Sequence, residues 1–213
     1  MNPTGHRYFI VNKPYGMVSQ FVSSHEVRLL GKLAFDFPEG THAIGRLDNY
    51  SEGLLILTTN KKVTKLLFED PIPHRRTYLV KVKYQVSPES LEKLRKGLSI
   101  RIRGGSQYTT LPCEAEIIPP PENLPLNGNE RPEYYPHSWL KLTLTEGKFH
   151  QVRKMVDAIH HRCVRLIRQS IEDLELMDLA PGEVREIEEA DFFRRLRIGE
   201  GYEWCFIPGS MVK

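Results

Sequence analysis

Two oppositely charged residues, Arg46 and Asp48, stand one residue apart, shortly before the apolar run from Gly53 to Thr58. In an extended segment, residues i and i+2 project to the same side. Arg46 and Asp48 would then share a face, while Leu47 would point into the core. Such a pair beside a rigid strand can serve catalysis, but surface ion pairs are common and contribute little. These residues alone favour the surface ion pair.

The composition is that of an ordinary globular protein large enough to bury a core. Its 213 residues are 40% hydrophobic and 27% charged. No segment reaches the roughly 18 apolar residues that a membrane span requires, and the N-terminal segment lacks a signal-peptide core. Three widely separated cysteines, Cys113, Cys163 and Cys205, imply no disulfide framework. We therefore expect a cytoplasmic protein without a membrane partner.

Positive charge is clustered, although the net charge is only +3. Asp157 alone opposes the basic residues between positions 148 and 168. These residues are Lys148, Arg153, Lys154, Arg162, Arg165 and Arg168. Further clusters lie at His74 to Arg76 and at Arg101 with Arg103. Basic clusters near aromatic residues suit an RNA backbone with an unstacked base, while a solvated helix face is an equal alternative for any one cluster.

Short helices and strands alternate, which indicates an α+β fold with a largely antiparallel sheet. "RYFIVN" and "SWLKLTLT" predict strands, and Ser87 and Gly97 delimit a predicted helix. "KFHQVRKMVDAIHH" predicts a second helix, and "DLELMDL" predicts another strand. Residues 119 to 137 are rich in proline and predict a loop.

Five motifs, in order along the chain, resemble those of the RsuA/RluB/E/F group of pseudouridine synthases. "GRLDNYSEGLLILTTN" resembles the catalytic motif of the group, with Ser51 at its Ser/Thr position. "NKPYG", "TYLVKV" and "LTEGKFHQVRKM" resemble its early Lys-Pro motif, its tyrosine strand and its late motif. "LIRQSIEDLELMDLAPGEVREI" resembles its closing motif. One motif alone would be weak, but five colinear motifs are highly specific. Within the group, the chain most resembles members that modify large-subunit ribosomal RNA.

The resemblance implies a pseudouridine synthase catalytic fold, with a mixed, mainly antiparallel central sheet and an active-site cleft between two subdomains. Residues 1–213 would form one catalytic domain without an N-terminal S4 domain, since the first strand begins near Arg7. The implied reaction converts a specific uridine of 23S rRNA to pseudouridine. It transfers no electrons or external group, so we expect no cofactor and no metal, and the sequence shows no P-loop or paired Cys/His pattern. The implied partner is ribosomal RNA, and we expect a monomer.

The resemblance assigns catalytic roles to Asp48, Tyr78 and Arg153. Asp48 would attack C1′ or stabilise positive charge there, and the sequence does not choose between acylal and glycal routes. Arg153 would keep the carboxylate ionised through an ion pair. Tyr78 would stack on the target base and take part in proton transfer from C5. The structural alternatives are a surface phosphate contact for Arg153 and a core position for Tyr78.

Further residues are predicted to bind substrate or RNA. They are Arg46, Lys13, Gln151, Lys154, Leu166 and Arg168. Arg46 matches a position that fills the space left when the target uridine leaves its stack. Leu166 matches an apolar position of the uracil pocket, and Lys13 is either structural or RNA-facing.

The late motif departs from the pattern of the group at Phe149 and His150, where many relatives have polar or basic residues. The departure leaves the chemistry intact but bears on the identity of the substrate. Two alternatives therefore stay open. The same reaction could act on another RNA, such as small-subunit rRNA, or the chain could be a non-catalytic RNA-binding protein of ribosome assembly.

Overall fold

The structure, a computed structural model, describes residues 5–68, 73–122, 124–125, 127 and 135–199. The strands within them are β1 (Tyr8–Lys13), β2 (His42–Ile44), β3 (Glu52–Thr58), β4 (Arg76–Lys83), β5 (Ser99–Arg101), β6 (Gln107–Thr109), β7 (Glu114–Ile118), β8 (His137–Leu144), β9 (Cys163–Ile171), β10 (Leu174–Glu175) and β11 (Val184–Ile187). The helices are α1 (Lys62–Phe68), α2 (Pro88–Lys96), α3 (Gln151–Ala158) and α4 (Glu189–Leu196). None of the helices described is long and apolar enough to cross a bilayer.

One mixed sheet organises the described residues. Its main strand order is β11-β1-β3-β9-β4-β8-β7, with β2 beside β3 and β10 beside β9. The neighbouring strands are antiparallel except β3 and β9, which run parallel. The hairpin β5–β6 lies apart from this sheet. The predicted α+β class with a mainly antiparallel sheet is confirmed.

The parallel pair β3–β9 joins the two halves of the sheet. Gly53 has a φ of 98° there, and a Cβ at this position would lie 2.3 Å from the carbonyl oxygen of Arg168. Glycine is therefore required for the strands to approach. The neighbouring Glu52 forms a buried bidentate ion pair with Arg165, at 2.8 and 2.9 Å, which holds β3 and β9 together.

Apolar cores lie on both sides of this junction. In the first half, β1 and β3 bury one face against α1 and α4 and the other against the segment that contains Leu30 and Leu33. Leu47 joins the latter core with 7% exposure, as predicted. In the second half, β4, β7 and β8 pack on α2 and α3. The junction is therefore flanked by separately packed cores, and it opens as a cleft.

Several predicted elements are confirmed. The helix α2 begins after Ser87, whose hydroxyl accepts a hydrogen bond from Ser90 N (3.2 Å), and it ends at Gly97 with a φ of 84°. The helix in the late motif is also present, but it begins only at Gln151, because His150 adopts a left-handed conformation with a φ of 56°.

The strand predicted in "DLELMDL" is largely wrong, since only Leu174–Glu175 are extended. The long central strand β9 lies just before it. This strand was not predicted, because charged residues interrupt its apolar pattern. Arg165 and Arg168 are both 4% exposed because they find partners inside the protein. Within the segment 119 to 137, the described residues before β8 lie outside helices and strands, as predicted. The other positions of that segment lie outside the described residues.

A carboxylate with 6% exposure, Glu172, ties the turn after β9 to neighbouring elements. It accepts a hydrogen bond from Arg75 N (2.6 Å), and its oxygens lie 3.4 Å from His74 Nδ1 and 3.7 Å from Arg197 Nη1. Burial acts to raise the pKa of Glu172, but the hydrogen bonds from His74 and Arg75 and the charge of Arg197 outweigh it. The pKa is therefore lowered from the ordinary value of 4.5.

We predict that Glu172→Gln lowers the free energy of unfolding at pH 7 by about 1–3 kcal/mol, because it removes a buried charged acceptor. A depressed carboxyl pKa contributes stability above the unfolded pKa, and this contribution is lost as pH falls through the folded value. The difference between variant and parent should therefore shrink below about pH 4.5. Urea unfolding at several pH values measures this difference in the free energy of unfolding. Glu175→Gln, at an exposed position, is the control, and equal effects at both positions would contradict the assignment.

Candidate active site

A cavity of about 690 Å³ opens at the junction of the two halves of the sheet. Its walls come from the loop between β2 and β3, the start of β4, the β8–α3 loop and the middle of β9. The predicted site residues in its wall are Arg46, Asp48, Tyr78, Gln151, Leu166 and Arg168. This volume is typical of sites that enclose a small ligand or one flipped base.

Asp48 stands at the edge of this cavity with its side chain 30% exposed. Its Oδ2 atom is 3.9 Å from Nε of Arg153, and its Oδ1 atom is 3.3 Å from Nε2 of His150. Arg46 is exposed in the same wall, and within the described residues no ion pair of its side chain is found. Asp48 is therefore associated with the distant Arg153, and the neighbouring pair Arg46–Asp48 is not an ion pair.

Arg153 fixes the backbone that carries Asp48. From the first turn of α3, its Nη2 group donates to the carbonyl of Tyr50 (2.7 Å) and to the hydroxyl of Ser51 (3.2 Å). Ser51 N in turn donates to the Asp48 carbonyl at 3.0 Å, which closes the turn. Because 3.9 Å exceeds hydrogen-bond length, Arg153 supplies charge to Asp48 without occupying a lone pair of the carboxylate.

Tyr78 and Arg168 form part of the inner wall, as neighbours across β4 and β9. A register shift between Thr77 and Tyr78 changes the direction of β4 and its side chains at this point. Arg168 donates from Nε to the Leu54 carbonyl (2.8 Å). Burial lowers the pKa of Arg168, and the charge and hydrogen bond of Tyr78 oppose that shift. Arg168 and Leu166 are each 4% exposed, and both line the cavity.

The sequence leaves Lys13 either structural or RNA-facing, and in the structure its side chain is fully buried. The ammonium group donates to the carbonyls of Met17 (2.6 Å), Pro14 (3.0 Å) and Asn49 (3.4 Å). Burial lowers the pKa of Lys13 to about 8, against the attraction of Glu52 and Asp48. Lys13 therefore attaches the Pro/Gly turn to the loop of Asp48, which is the structural alternative.

Gln151 also has a structural task. It is 4% exposed; its Nε2 donates to Glu146 (2.6 Å) and its Oε1 accepts from Lys148 N (2.8 Å). The amide thus shapes the β8–α3 loop, while the residue also lines the cavity, and its contact with substrate or RNA stays a prediction. Lys154 lies outside the cavity, with its ammonium 5.3 Å from the ring centroid of Phe149.

Sequence reasoning missed the contact between His150 and Asp48. The signal was weak, because His150 was visible only as a departure from a motif, and its left-handed backbone cannot be read from spacing. Chemically, the site offers a carboxylate beside positive charge, an aromatic hydroxyl and an apolar wall in one partly enclosed cavity. Such a site can bind a planar ring and present the carboxylate to an electrophilic carbon.

Comparison with known proteins identifies related chains. A family model described as RNA pseudouridylate synthase matches residues 7–158. The ribosomal large subunit pseudouridine synthase E of Vibrio parahaemolyticus is 34% identical over 186 residues, which cover 85% of this chain and 74% of the relative. Its namesake from Xanthomonas axonopodis pv. citri is 34% identical over 81% of this chain and 89% of the relative.

Two further matches extend the comparison. The ribosomal small subunit pseudouridine synthase A of Escherichia coli K12 is 29% identical over 88% of this chain and 73% of the relative. A crystal structure of a pseudouridylate synthase superposes with a TM-score of 0.72 and 27% identity, over 92% of this chain and 76% of that structure. The fold and the sequence thus indicate the same relatives.

We predict that Lys13→Met lowers the free energy of unfolding by about 1–3 kcal/mol, because buried carbonyls lose their donor. Chemical denaturation measures the loss. Lys61→Met makes the same change at an exposed lysine and should change stability by less than about 0.5 kcal/mol. A loss at position 13 no larger than that at position 61 would contradict the structural role of Lys13.

Proposed function

The chain belongs to the RNA pseudouridylate synthase family, and we propose that it isomerises a specific uridine of large-subunit ribosomal RNA to pseudouridine. Family membership makes it a pseudouridine synthase. The sequence motifs already pointed to this family and, within it, to members that modify large-subunit ribosomal RNA. The choice of large-subunit RNA is supported by relatives from Vibrio and Xanthomonas that carry that name and cover most of the chain.

The observation that carries the catalytic proposal is the position of Asp48. Its carboxylate faces the cavity with positive charge 3.9 Å away on Arg153, and its backbone is fixed by the hydrogen bonds of the same arginine. A carboxylate held in this way is an anion in a defined place. A protein that only binds RNA gains nothing from directing a carboxylate at a phosphate-rich ligand.

The reaction must break the N1–C1′ bond of the uridine and form a C5–C1′ bond, while C5 loses a proton and N1 gains one. We assign the step at C1′ to Asp48 and a part in the proton transfer from C5 to Tyr78. Both residues line the cavity that would receive the base. The uridine must leave its stack to enter, and exposed Arg46 at the rim can occupy the vacated space.

A second target, small-subunit ribosomal RNA, is favoured by one observation. The synthase A of Escherichia coli, named for the small subunit, is 29% identical over 88% of the chain. The higher identity to the two large-subunit synthases supports the large subunit. In either case the proposed partner is ribosomal RNA in the cytoplasm, and the isomerisation needs no cofactor, since no electrons or external groups are transferred.

We predict that Asp48→Asn abolishes pseudouridine formation, with a loss of at least about 10³-fold in rate, because the amide cannot act at C1′. Release of tritium from [5-³H]uridine-labelled rRNA measures turnover. The affinity for the same rRNA should stay within about threefold, since phosphate contacts dominate affinity. Turnover by the variant at the parental rate would contradict the catalytic assignment.

We predict that Arg153→Lys lowers kcat by about 100-fold, because lysine keeps a positive charge but cannot bond both Tyr50 O and Ser51 Oγ while facing Asp48. Single-turnover kinetics at saturating rRNA measure the effect. Arg162→Ala, at an exposed position beyond α3, is the matched control and should keep the parental kcat. Equal single-turnover rates for Arg153→Lys and the parent would show that the two hydrogen bonds of the Arg153 guanidinium group are dispensable.

A further inference from the structure

A second, shallower groove of about 530 Å³ lies beside the catalytic cavity, between the β5–β6 hairpin and α3. Its floor is apolar and includes Ile100 and Ile102. Its sides carry Arg101, Arg103 and Lys154. Phe149 lines both this groove and the catalytic cavity. A ligand that occupies the cavity can therefore continue past Phe149 into the groove.

Phe149 is oriented but not buried. Its side chain is 61% exposed, and its ring stacks on the imidazole of His150 with centroids 3.8 Å apart and an angle of 19° between the planes. His150 contacts Asp48 and directly precedes α3 in a left-handed conformation, so the stack is fixed to the active site. An exposed, oriented aromatic ring is a platform for another flat ring.

The cations around the ring suit an anionic chain. The ammonium group of Lys154 lies 5.3 Å from the Phe149 centroid, on a flexible stem that can turn to a phosphate. Arg101 and Arg103 project from the hairpin, and no ion pair of either side chain is found in the described part of the chain. Asp157 is the acidic residue of the lining. Unpaired guanidinium groups beside an exposed aromatic ring are the combination that binds single-stranded nucleic acid.

We propose that this groove binds the RNA strand next to the target uridine, with an unpaired neighbouring base stacked near Phe149 and the backbone held by Arg101 and Arg103. The inference rests on the proposed function and refines it, since the substrate class becomes a uridine in a loop, a bulge or another single-stranded segment. Bases in a duplex are stacked on each other and cannot present a free face to Phe149. Phe149, where the late motif departs from the pattern of the group, thus contributes to the choice of substrate.

The test is binding of a fluorescein-labelled oligouridine about ten nucleotides long, within the range that one single-stranded groove covers. Fluorescence anisotropy should show about tenfold weaker binding for both Phe149→Ala and Phe149→Leu, and near-parental binding for Phe149→Trp. Leucine keeps an apolar side chain but no flat ring, so it separates stacking from packing. The double variant Arg101→Ala/Arg103→Ala should reduce the slope of log Kd against log salt by about 1.4, or about 0.7 for each lost phosphate contact.

Tyr135→Ala is the matched control. Tyr135 is also an exposed aromatic residue, at 53%, and also lies beside a cation, the Lys83 ammonium at 3.7 Å. It does not line either cavity, so its loss should leave the affinity for oligouridine unchanged. If Phe149→Leu and Phe149→Ala bind as tightly as the parent, the groove inference is overturned. An equal loss on Tyr135→Ala would also overturn it.

Turnover separates this inference from the proposed function. The KM for rRNA should rise about tenfold in Phe149→Leu and return toward the parental value in Phe149→Trp. A parental protein that forms pseudouridine while Phe149→Leu keeps the parental KM would overturn the groove and leave the function standing. Phe149-dependent binding of oligouridine, without pseudouridine in any rRNA, would support the groove and contradict the function.

Discussion

The contact between Arg153 and the loop that follows β2 is the interaction on which the site depends. A single guanidinium group bonds Tyr50 O and Ser51 Oγ and stands 3.9 Å from the Asp48 carboxylate. One residue thereby sets both the position of the carboxylate and the charge beside it. Arg153 Nε stands beyond hydrogen-bond length from Oδ2 of Asp48, so this oxygen stays available for the sugar carbon of a substrate, while His150 lies 3.3 Å from Oδ1.

The surrounding fold keeps this contact in place from several sides. Lys13 attaches the turn after β1 to Asn49 O, one residue from Asp48. The buried pair of Glu52 and Arg165 locks the start of β3 to β9, and Gly53 permits the close approach of those strands. Gln151 shapes the opposite wall of the cavity from α3. Residues remote from the chemistry thus determine whether the distance of 3.9 Å is kept.

The sequence predicted most of this arrangement where a local rule applied. Alternating leucines predicted β8, and Ser87 and Gly97 delimited α2, because hydrophobic period and capping depend on near neighbours. The motif resemblance predicted the association of Asp48 with Arg153, which are 105 positions apart in the chain. Spacing alone favoured the adjacent Arg46 as the partner of Asp48, and the structure does not have that pair.

Other features could not be predicted because they depend on partners distant in sequence. Arg165 and Arg168 belong to a basic cluster that indicated either an RNA contact or a solvated face, yet each finds an internal acceptor on β3, and the strand β9 was not predicted. Lys13 was compatible with a structural role or an RNA contact, and its carbonyl partners, which support the structural role, lie in other segments of the chain. The placement of His150 against Asp48 requires a left-handed residue, which no hydrophobic pattern specifies. The sequence therefore did not predict the buried charges or the rare backbone conformations.

Pseudouridine mapping of ribosomal RNA would show whether this chain isomerises a uridine of the large-subunit rRNA. Total RNA from cells that lack this chain is compared with RNA from the parent strain, and both ribosomal subunits are read at nucleotide resolution. We expect one pseudouridine of the large-subunit rRNA to disappear and to return when the parental gene is restored. Identical maps in the two strains would contradict it, and a loss confined to the small subunit would transfer the substrate assignment to the second candidate.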